Sequence, residues 1–212
     1  MRRGLFITFE GTEGSGKSTQ AKLLYDWLIT QDLPCLLTRE PGGTKIGEAV
    51  RGILLDPLFK ELSVKTELFL FLAARAQLVS EVILPAINQG KIVISDRFSD
   101  STYAYQVYGR KLPERPTMLL NRFATSGLKP DITFLIDLPV EEGLKRNRLI
   151  DQDRFEKEPL PYHLQVREGY LRLARRAGGR IKLVDGRQPV EVIQSEIQNR
   201  TRVILLKKGY KI

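Results

Sequence analysis

The sequence predicts an α/β domain in which a five-stranded parallel sheet is flanked by helices on both faces. Short apolar runs alternate with helix-length periodic segments along the chain, and this alternation is typical of parallel sheets with right-handed crossovers. The apolar runs are rich in β-branched residues and do not alternate apolar with polar positions, which indicates strands covered on both sides. A glycine-rich turn with a phosphate-binding pattern lies between the first run and the first helical segment.

Each element follows from its local pattern. The predicted strands are apolar runs of about five residues, at 5–9, 34–38, 91–95, 132–136 and 180–184. The predicted helices cover 17–30, 46–55, 64–88 and the chain from 189 onward. Gly90 is expected to end the long third helix. We interpret residues 1–212 as a single domain, and the charged stretch at about 145–158 as a short mobile lid.

Composition indicates a compact cytoplasmic protein. The chain has 212 residues, of which 42% are hydrophobic, enough to bury a core and unlike a disordered chain. The single cysteine, Cys35, excludes a disulfide within the chain, and the single histidine, His163, excludes a histidine metal cluster; we expect both to be structural. The apolar N-terminal stretch is too short for a signal peptide, and no run approaches the 18 apolar residues of a membrane helix. We therefore expect no membrane partner.

The net charge indicates anionic partners. The 34 basic and 25 acidic residues give +9, which fits phosphorylated small molecules, nucleic acid or a solvated basic surface. Residues 200–212 contain five basic residues and no acidic one, a pattern usual for a solvated helix end. The aromatic residues are not interleaved with basic ones, as they are on a base-stacking surface. We therefore expect no nucleic-acid partner.

A phosphate loop (P-loop) occupies residues 11–19. It matches G-x-x-x-x-G-K-[ST] at each fixed position and lies between a predicted strand and a predicted helix, as the binding mechanism requires. Its backbone N–H groups and the start of the helix would hold the phosphates of a nucleoside triphosphate. Lys17 would reach the β- and γ-phosphates, and the Ser18 hydroxyl would bind Mg²⁺. The predicted nucleotide-binding residues are Gly11, Thr12, Glu13, Gly14, Ser15, Gly16, Lys17, Ser18 and Thr19.

Asp96 is the second predicted metal residue, because it follows a predicted strand where P-loop enzymes hold their metal ion. No Asn-Lys-x-Asp segment occurs, which argues against a regulatory GTPase, and Arg97 stands where motors and helicases have a catalytic Glu. A small kinase with an anionic acceptor remains. Such an enzyme needs arginines to neutralise charge. The candidates are Arg39, Arg51, Arg75, Arg97, Arg146, Arg148 and Arg154.

Arg75 lies in a helix that is apolar on nearly every side. A buried guanidinium without a partner would cost several kcal/mol, so Arg75 must pair with an acid or face a cavity. Phe71 lies one helical turn earlier, and a ring beside a forked donor suits a planar base with an acceptor oxygen. The alternative is a structural salt bridge to Glu67 or Glu81. The residues alone leave both interpretations open.

The chain resembles bacterial thymidylate kinases (dTMP kinases) along essentially its whole length. The specific motifs are residues 9–19, the Thr-Arg-Glu-Pro-Gly-Gly-Thr segment at 38–44, and Asp-Arg-Phe-Ser-Asp-Ser-Thr-Tyr-Ala-Tyr-Gln at 96–106. Weaker matches lie at 70–77 and 129–131. The resemblance implies a P-loop fold of the nucleoside monophosphate kinase type. It also implies the reaction ATP + dTMP → ADP + dTDP with Mg²⁺.

The resemblance also implies roles for individual residues at the acceptor site. Phe71 would stack on thymine and Arg75 would donate to its exocyclic oxygen. Arg51 and Arg97 would hold the acceptor phosphate, and Arg39 belongs to the same predicted substrate-binding set. The other implied residues are Glu13 near the deoxyribose and the transferred group, Thr102 and Gln106 at the base, and Tyr105 near the 2′ position.

Members of this family differ in whether a catalytic arginine lies in the phosphate loop or in the lid. Gly14 occupies the loop position, so the resemblance implies the lid type, with Arg154 as the first candidate and Arg148 as the second. Residues 107–111 and the segment 148–154 depart from the usual spacing. The resemblance implies a homodimer as well. Alternative functions are another nucleoside monophosphate kinase or a nucleic-acid-binding ATPase.

Overall fold

The computed structural model describes residues 3–147 and 153–211, which form an α/β structure around one parallel sheet. The strand order is β2-β3-β1-β4-β5, with all neighbouring strands parallel. The predicted fold class is confirmed, and each observed strand ends one residue later than predicted. The strands are β1 (Phe6–Glu10), β2 (Cys35–Arg39), β3 (Ile92–Asp96), β4 (Ile132–Asp137) and β5 (Ile181–Asp185).

The predicted helices are present, and further helices lie where no helix bounds were predicted. The 64–88 segment is helical but is divided by a π-helical turn at Val79–Ile83, because Pro85 has no N–H to continue the regular ladder. A second π-helical segment, Tyr103–Gly109, continues α5. The helices are α1 (Lys17–Thr30), α2 (Lys45–Leu55), α3 (Val64–Leu78), α4 (Leu84–Asn88), α5 (Ser99–Thr102), α6 (Glu114–Ala124), α7 (Val140–Asn147), α8 (Leu160–Arg176) and α9 (Val190–Lys207).

Two apolar layers enclose the sheet. One packs residues of β1, β3 and β4 against α1 and α9, and the other packs Phe6 and Val93 against the π-helical turn and α4. The central strand β1 is buried along its whole length, as predicted for a strand covered on both faces. The prediction is only partly right for the edge strands, because β2 is half-buried and Leu183 of β5 is 49% exposed.

The helix Val64–Asn88 is long and apolar enough, by length and composition, to cross a membrane, with a mean hydropathy of 1.6. In the fold, α3 packs against α2 and α6 instead. Two of its charged side chains, Glu67 and Arg75, are buried and form ion pairs with other elements. Such pairs are expected of a helix that belongs to a protein interior.

The carboxyl ends of the strands meet at one edge of the sheet, where α/β proteins bind their ligands. The central strand β1 leads into the P-loop. Its neighbour β3 ends in Asp96, and the edge strand β2 on the far side of β3 ends in Arg39, which is opposite Asp96 in register. Of the predicted lid, 145–147 complete α7 and 153–158 precede α8, while 148–152 lie outside the described residues.

Candidate active site

One cavity of about 740 Å³ runs along this edge of the sheet and brings together most of the predicted site residues. At one end it is lined by the P-loop from Glu13 to Thr19, and beyond the loop by Gln20, Gly186, Val190 and Ile193. The other end holds the predicted acceptor residues. These are Arg39, Arg51, Phe71, Arg75, Arg97, Thr102, Tyr105 and Gln106.

The P-loop has the backbone that its glycines predict. Gly11 adopts φ +148°, and a Cβ there would lie 2.6 Å from the carbonyl oxygen of Ile136. Gly14 adopts φ +68°, and a Cβ there would lie 2.1 Å from the carbonyl oxygen of Gly143 in α7. Side chains are therefore excluded at both positions by conformation and by space. The second contact packs the loop directly against the helix that leads into the predicted lid.

Lys17 opens α1 and lies beneath the loop, with its Nζ donating to the carbonyl oxygen of Thr12 at 3.3 Å. Burial lowers the pKa of this ammonium and the charge of Arg97 lowers it further, while Asp96 and Glu13 oppose the shift. A buried cation that has only a carbonyl partner gains energy when an anion enters the cavity. Lys17 is therefore placed to bind phosphate.

Ser18 and Asp96 form the candidate metal site. The Ser18 hydroxyl donates to Oδ2 of Asp96, whereas Oδ1 of Asp96 is buried and has no hydrogen-bond partner in the described part of the chain. Oxygen ligands of this kind suit Mg²⁺, which uses one or two protein oxygens together with phosphate oxygens and water. Within 3–147 and 153–211, no three His, Cys, Asp or Glu residues cluster as an all-protein metal cage would need. The residues present therefore fit a metal ion that arrives with a nucleotide.

Arg97 directly follows β3, and its backbone is left-handed, with φ +69°. Its side chain reaches the P-loop. The left-handed conformation costs a non-glycine residue about 1–2 kcal/mol. It is held because the Arg97 backbone N–H donates to the carbonyl oxygen of Phe9 at 2.9 Å. The guanidinium then donates to the carbonyl oxygen of Gly11 at 3.1 Å and to Oε1 of Glu13 at 2.8 Å.

Glu13 is the acid that Arg97 orients in the cavity. Its Oε1 also accepts from the Tyr105 hydroxyl at 2.7 Å, while its Oε2 is buried and has no hydrogen-bond partner within 3–147 and 153–211. Burial acts to raise the pKa of Glu13, but the charges of Arg97 and Lys17 and the bond from Tyr105 outweigh it and lower the pKa. Glu13 is therefore an ionised acceptor at neutral pH.

Glu10 supports the site and was missed among the predicted site residues. It is fully buried at the end of β1, and its carboxylate accepts from the Phe98 backbone N–H at 2.8 Å, the Ser101 hydroxyl at 2.6 Å and the Tyr170 hydroxyl at 2.8 Å. Burial and the nearby charge of Asp100 raise its pKa to about 7. An acid that ends an apolar strand just before a P-loop was the signal in the sequence.

Arg75 is 1% exposed and forms an ion pair whose partner was not predicted. Its Nε and Nη2 donate to Oε2 of Glu40 at 2.8 and 2.6 Å. A salt bridge to Glu67 or Glu81 was one of the two interpretations left open; a salt bridge is present, but Glu40 is its acid. Its remaining N–H groups donate to Thr102 Oγ1 at 2.5 Å, Asn121 Oδ1 at 2.7 Å and the Phe98 carbonyl at 3.1 Å. Arg75 therefore has a buried salt bridge and also lines the cavity.

The residues predicted to recognise the base lie around one aromatic corner of the cavity. The half-buried ring of Phe71 lies 5.6 Å, centroid to centroid, from Phe155, and Tyr105 meets Phe155 edge-on at 6.1 Å. Nε2 of the Gln106 side chain donates to Oε1 of Glu67 at 3.0 Å. Phe155 was not predicted as a site residue; its place directly after Arg154 in the expected lid was the available signal.

Two arginines, Arg39 and Arg51, line the end of the cavity that holds the predicted acceptor residues. Arg51 donates to the carbonyl oxygen of Pro41 at 2.9 Å, and burial together with the charge of Arg39 lowers its pKa. Arg39 is exposed and lies 3.3 Å from Glu48. Both side chains line the cavity, so they add positive charge where an acceptor phosphate would lie.

The lid arginines have different positions. Arg154, the first candidate for catalysis, is not among the residues that line the cavity, and its Nη2 donates to Oε2 of Glu67 at 2.8 Å. Arg148, the second candidate, lies outside the described residues. Arg146 at the end of α7 does line the cavity and lies 3.5 Å from the carbonyl oxygen of Gly186.

Comparison with known proteins identifies close relatives. Residues 9–197 match the sequence model of the family described as thymidylate kinase. A thymidylate kinase of Roseiflexus castenholzii is 48% identical over 209 residues, covering 91% of this chain and 90% of the relative. One from Thermoanaerobacter sp. is 46% identical and covers 92% and 96% of the two chains. One from Kosmotoga olearia is 45% identical and covers 97% and 99%.

Proposed function

This chain belongs to the thymidylate kinase family and catalyses the ATP-dependent phosphorylation of dTMP to dTDP, and we propose that its cavity binds the two nucleotides end to end. One observation supports this arrangement above all: a single cavity joins the P-loop to a second group of cationic side chains, those of Arg51 and Arg97. Two polyanions repel each other, so cations between them lower the cost of bringing the phosphates together.

The donor ATP would occupy the P-loop end. Its phosphates would accept from the loop N–H groups and from Lys17, and its base would lie against the apolar side chains of Val190 and Ile193. Ser18 and Asp96 would hold Mg²⁺, which would neutralise negative charge on the phosphates. The buried Oδ1 of Asp96 supports this role, because it has no hydrogen-bond partner among the described residues.

The acceptor dTMP would occupy the other end. Thymine would stack on Phe71, with Arg75, Thr102 and Gln106 around its polar edge and Tyr105 beside the sugar. Arg75 already donates all five of its N–H groups, so a bond to the base requires that it exchange or share one of them.

Charged groups near the transferred phosphoryl would align and stabilise it. Arg51, Arg97 and Arg39 would bind the acceptor phosphate, and Glu13 would orient Arg97 and contact the deoxyribose region. A lid arginine would add the remaining positive charge. Arg146 already lines the cavity, so it is better placed than Arg154.

A coupled assay of ADP release across the nucleoside monophosphates tests the acceptor, with Lys17→Ala as the blank. We expect dTMP to be preferred over dUMP by about 1–3 kcal/mol, since the two differ by one methyl group. Equal rates with both would indicate a general pyrimidine nucleotide kinase. DNA-stimulated hydrolysis with a steep salt dependence would instead indicate a nucleic-acid-binding ATPase.

We also propose that the protein is a cytoplasmic homodimer formed through the outer faces of α2, α3 and α6. These helices pack side by side and expose large apolar side chains, among them Phe69 (54%), Leu119 (60%) and Phe123 (87%). Apolar patches of this kind mark protein interfaces. Light scattering after size exclusion should give the mass of a dimer for the wild type and of a monomer for Phe69→Asp; a wild-type monomer would contradict the proposal.

A further inference from the structure

A buried group of charges lies behind the acceptor end of the cavity. At its centre is Glu67 in the first turn of α3, whose side chain is 1% exposed. Its carboxylate accepts from Nη2 of Arg154 at 2.8 Å, from Nε of Arg110 at 3.2 Å and from Nε2 of Gln106 at 3.0 Å. Nη1 of Arg110 also lies 2.6 Å from Oε1 of Glu158. A carboxylate this deeply buried is stable only with such partners, so it ties α3 to the segment 153–158.

Arg154 also joins this segment to α2. Its Nε donates to the carbonyl oxygen of Leu54 at 3.0 Å, and its backbone N–H donates to that of Leu55 at 3.1 Å. These carbonyls belong to the last turn of α2, which contains no basic residue of its own. The guanidinium therefore satisfies a free helix carbonyl and lies at the negative end of the helix dipole. One side chain thus connects the end of α2 with the start of α3.

The neighbours of Arg154 line the cavity while its own guanidinium lies behind the wall. Asp153, Phe155 and Glu156 are cavity residues, and Arg154 is not. Its guanidinium carbon lies 4.6 Å from the centre of the Phe155 ring, which is 4% exposed and packs against Phe71. Arg154 consequently supports the aromatic wall from the outside.

We propose that Arg154 is a positioning residue, which through Glu67 and the end of α2 holds Phe155 against Phe71 and so shapes the pocket for the acceptor base. The proposal rests on the proposed function, because it assigns that pocket to the base of dTMP. It gives Arg154 a role in acceptor binding and leaves the charge of the transferred phosphoryl to other groups. Arg110 completes the arrangement by fixing the other end of the segment at Glu158.

Steady-state kinetics of Arg154→Met test the proposal, since methionine keeps the packing on Phe155 but makes none of the bonds. We expect the KM for dTMP to rise about 10- to 100-fold, as for a pocket displaced by about 1 Å, while kcat and the KM for ATP change less than about threefold. A loss of about 10²–10⁴ in kcat with an unchanged KM for dTMP would make Arg154 a catalytic charge and overturn the proposal. Glu67→Gln should raise the KM for dTMP by a smaller factor when it is introduced into Arg154→Met than when it is introduced into the wild type.

Hydrogen exchange in the nucleotide-free protein tests the same role without any assay of activity. The amides of Arg154, Lys157 and Glu158 are hydrogen-bonded in the fold, and in Arg154→Met we expect them to exchange at least about tenfold faster. Arg167→Met is the matched control, because it removes another arginine–carboxylate pair, 2.7 Å from Asp137, outside the cavity lining. Unchanged exchange in Arg154→Met overturns the proposal. A wild type inactive on dTMP would instead refute the proposed function, and exchange would still decide the role of Arg154.

Discussion

Replacing Arg75 by methionine should destabilise the whole domain, because it leaves a buried carboxylate without its cation. The Arg75 and Glu40 side chains are 2% and 4% exposed, and Oε1 of Glu40 has no hydrogen-bond partner. Burial already raises the pKa of Glu40, and the charge of Arg75 opposes that shift. Arg75→Met removes this compensation together with the bonds to Thr102 and Asn121.

The expected loss is large relative to the stability of a domain. Removing one partner of a buried ion pair costs about 3–5 kcal/mol, whereas whole domains are stable by about 5–15 kcal/mol. Replacing both partners by apolar residues of similar volume is far less costly, since no charge is left buried. We therefore expect Glu40→Met combined with Arg75→Met to recover most of the stability that Arg75→Met loses.

Urea unfolding followed by circular dichroism measures these differences as a shift of the midpoint at constant slope. If Arg75→Met stays within about 1 kcal/mol of the wild type, or if the double variant is no more stable than the single one, the ion pair does not have the assigned role. The double variant also separates folding from recognition. Its KM for dTMP, compared with its KM for ATP, reports what Arg75 and Glu40 together contribute to binding of the acceptor base, since both line the cavity.

Two further perturbations test the strand end and the loop. The pKa of Glu10 is about 7 in the folded protein, against an ordinary value of 4.5. Between pH 4.5 and pH 7 the folded state therefore binds more protons than the unfolded state. The free energy of unfolding should fall as the pH rises through this range. Over this pH range the free energy of unfolding should fall by about 3 kcal/mol in total. Thermal unfolding of Glu10→Gln should show a flatter pH profile, and an equally steep one would refute the assignment. Gly14→Ala would place a Cβ 2.1 Å from the carbonyl oxygen of Gly143. It should lower kcat/KM for ATP at least about tenfold by displacing the loop from α7; wild-type kinetics would show that this contact is not needed.

The central elements and the phosphate loop could be predicted from the sequence because their causes are local. An unbroken apolar run makes a central strand of a parallel sheet, and β1, β3 and β4 formed within one residue of their predicted ends. The loop glycines, with Lys17 and Ser18 after them, carry their own conformational requirement. The apolar pattern that predicts a helix over 64–88 was also local. It did not reveal that Pro85 interrupts the regular hydrogen bonds of this helix.

Only the tertiary structure decided which charges pair and what they therefore do. Arg75 meets Glu40, which is 35 residues earlier, and Arg154 meets Glu67, which is 87 residues earlier. Neither pair has a local signal, because helical spacing indicates only partners three or four residues away. The sequence by itself therefore determined the fold class and the backbone of the P-loop, and it predicted the phosphate site and most of the cationic side chains that line the cavity. Which arginine faces the cavity and which supports its wall followed from the packing of α2 against α3, since a buried charge goes to whatever partner the fold brings within reach.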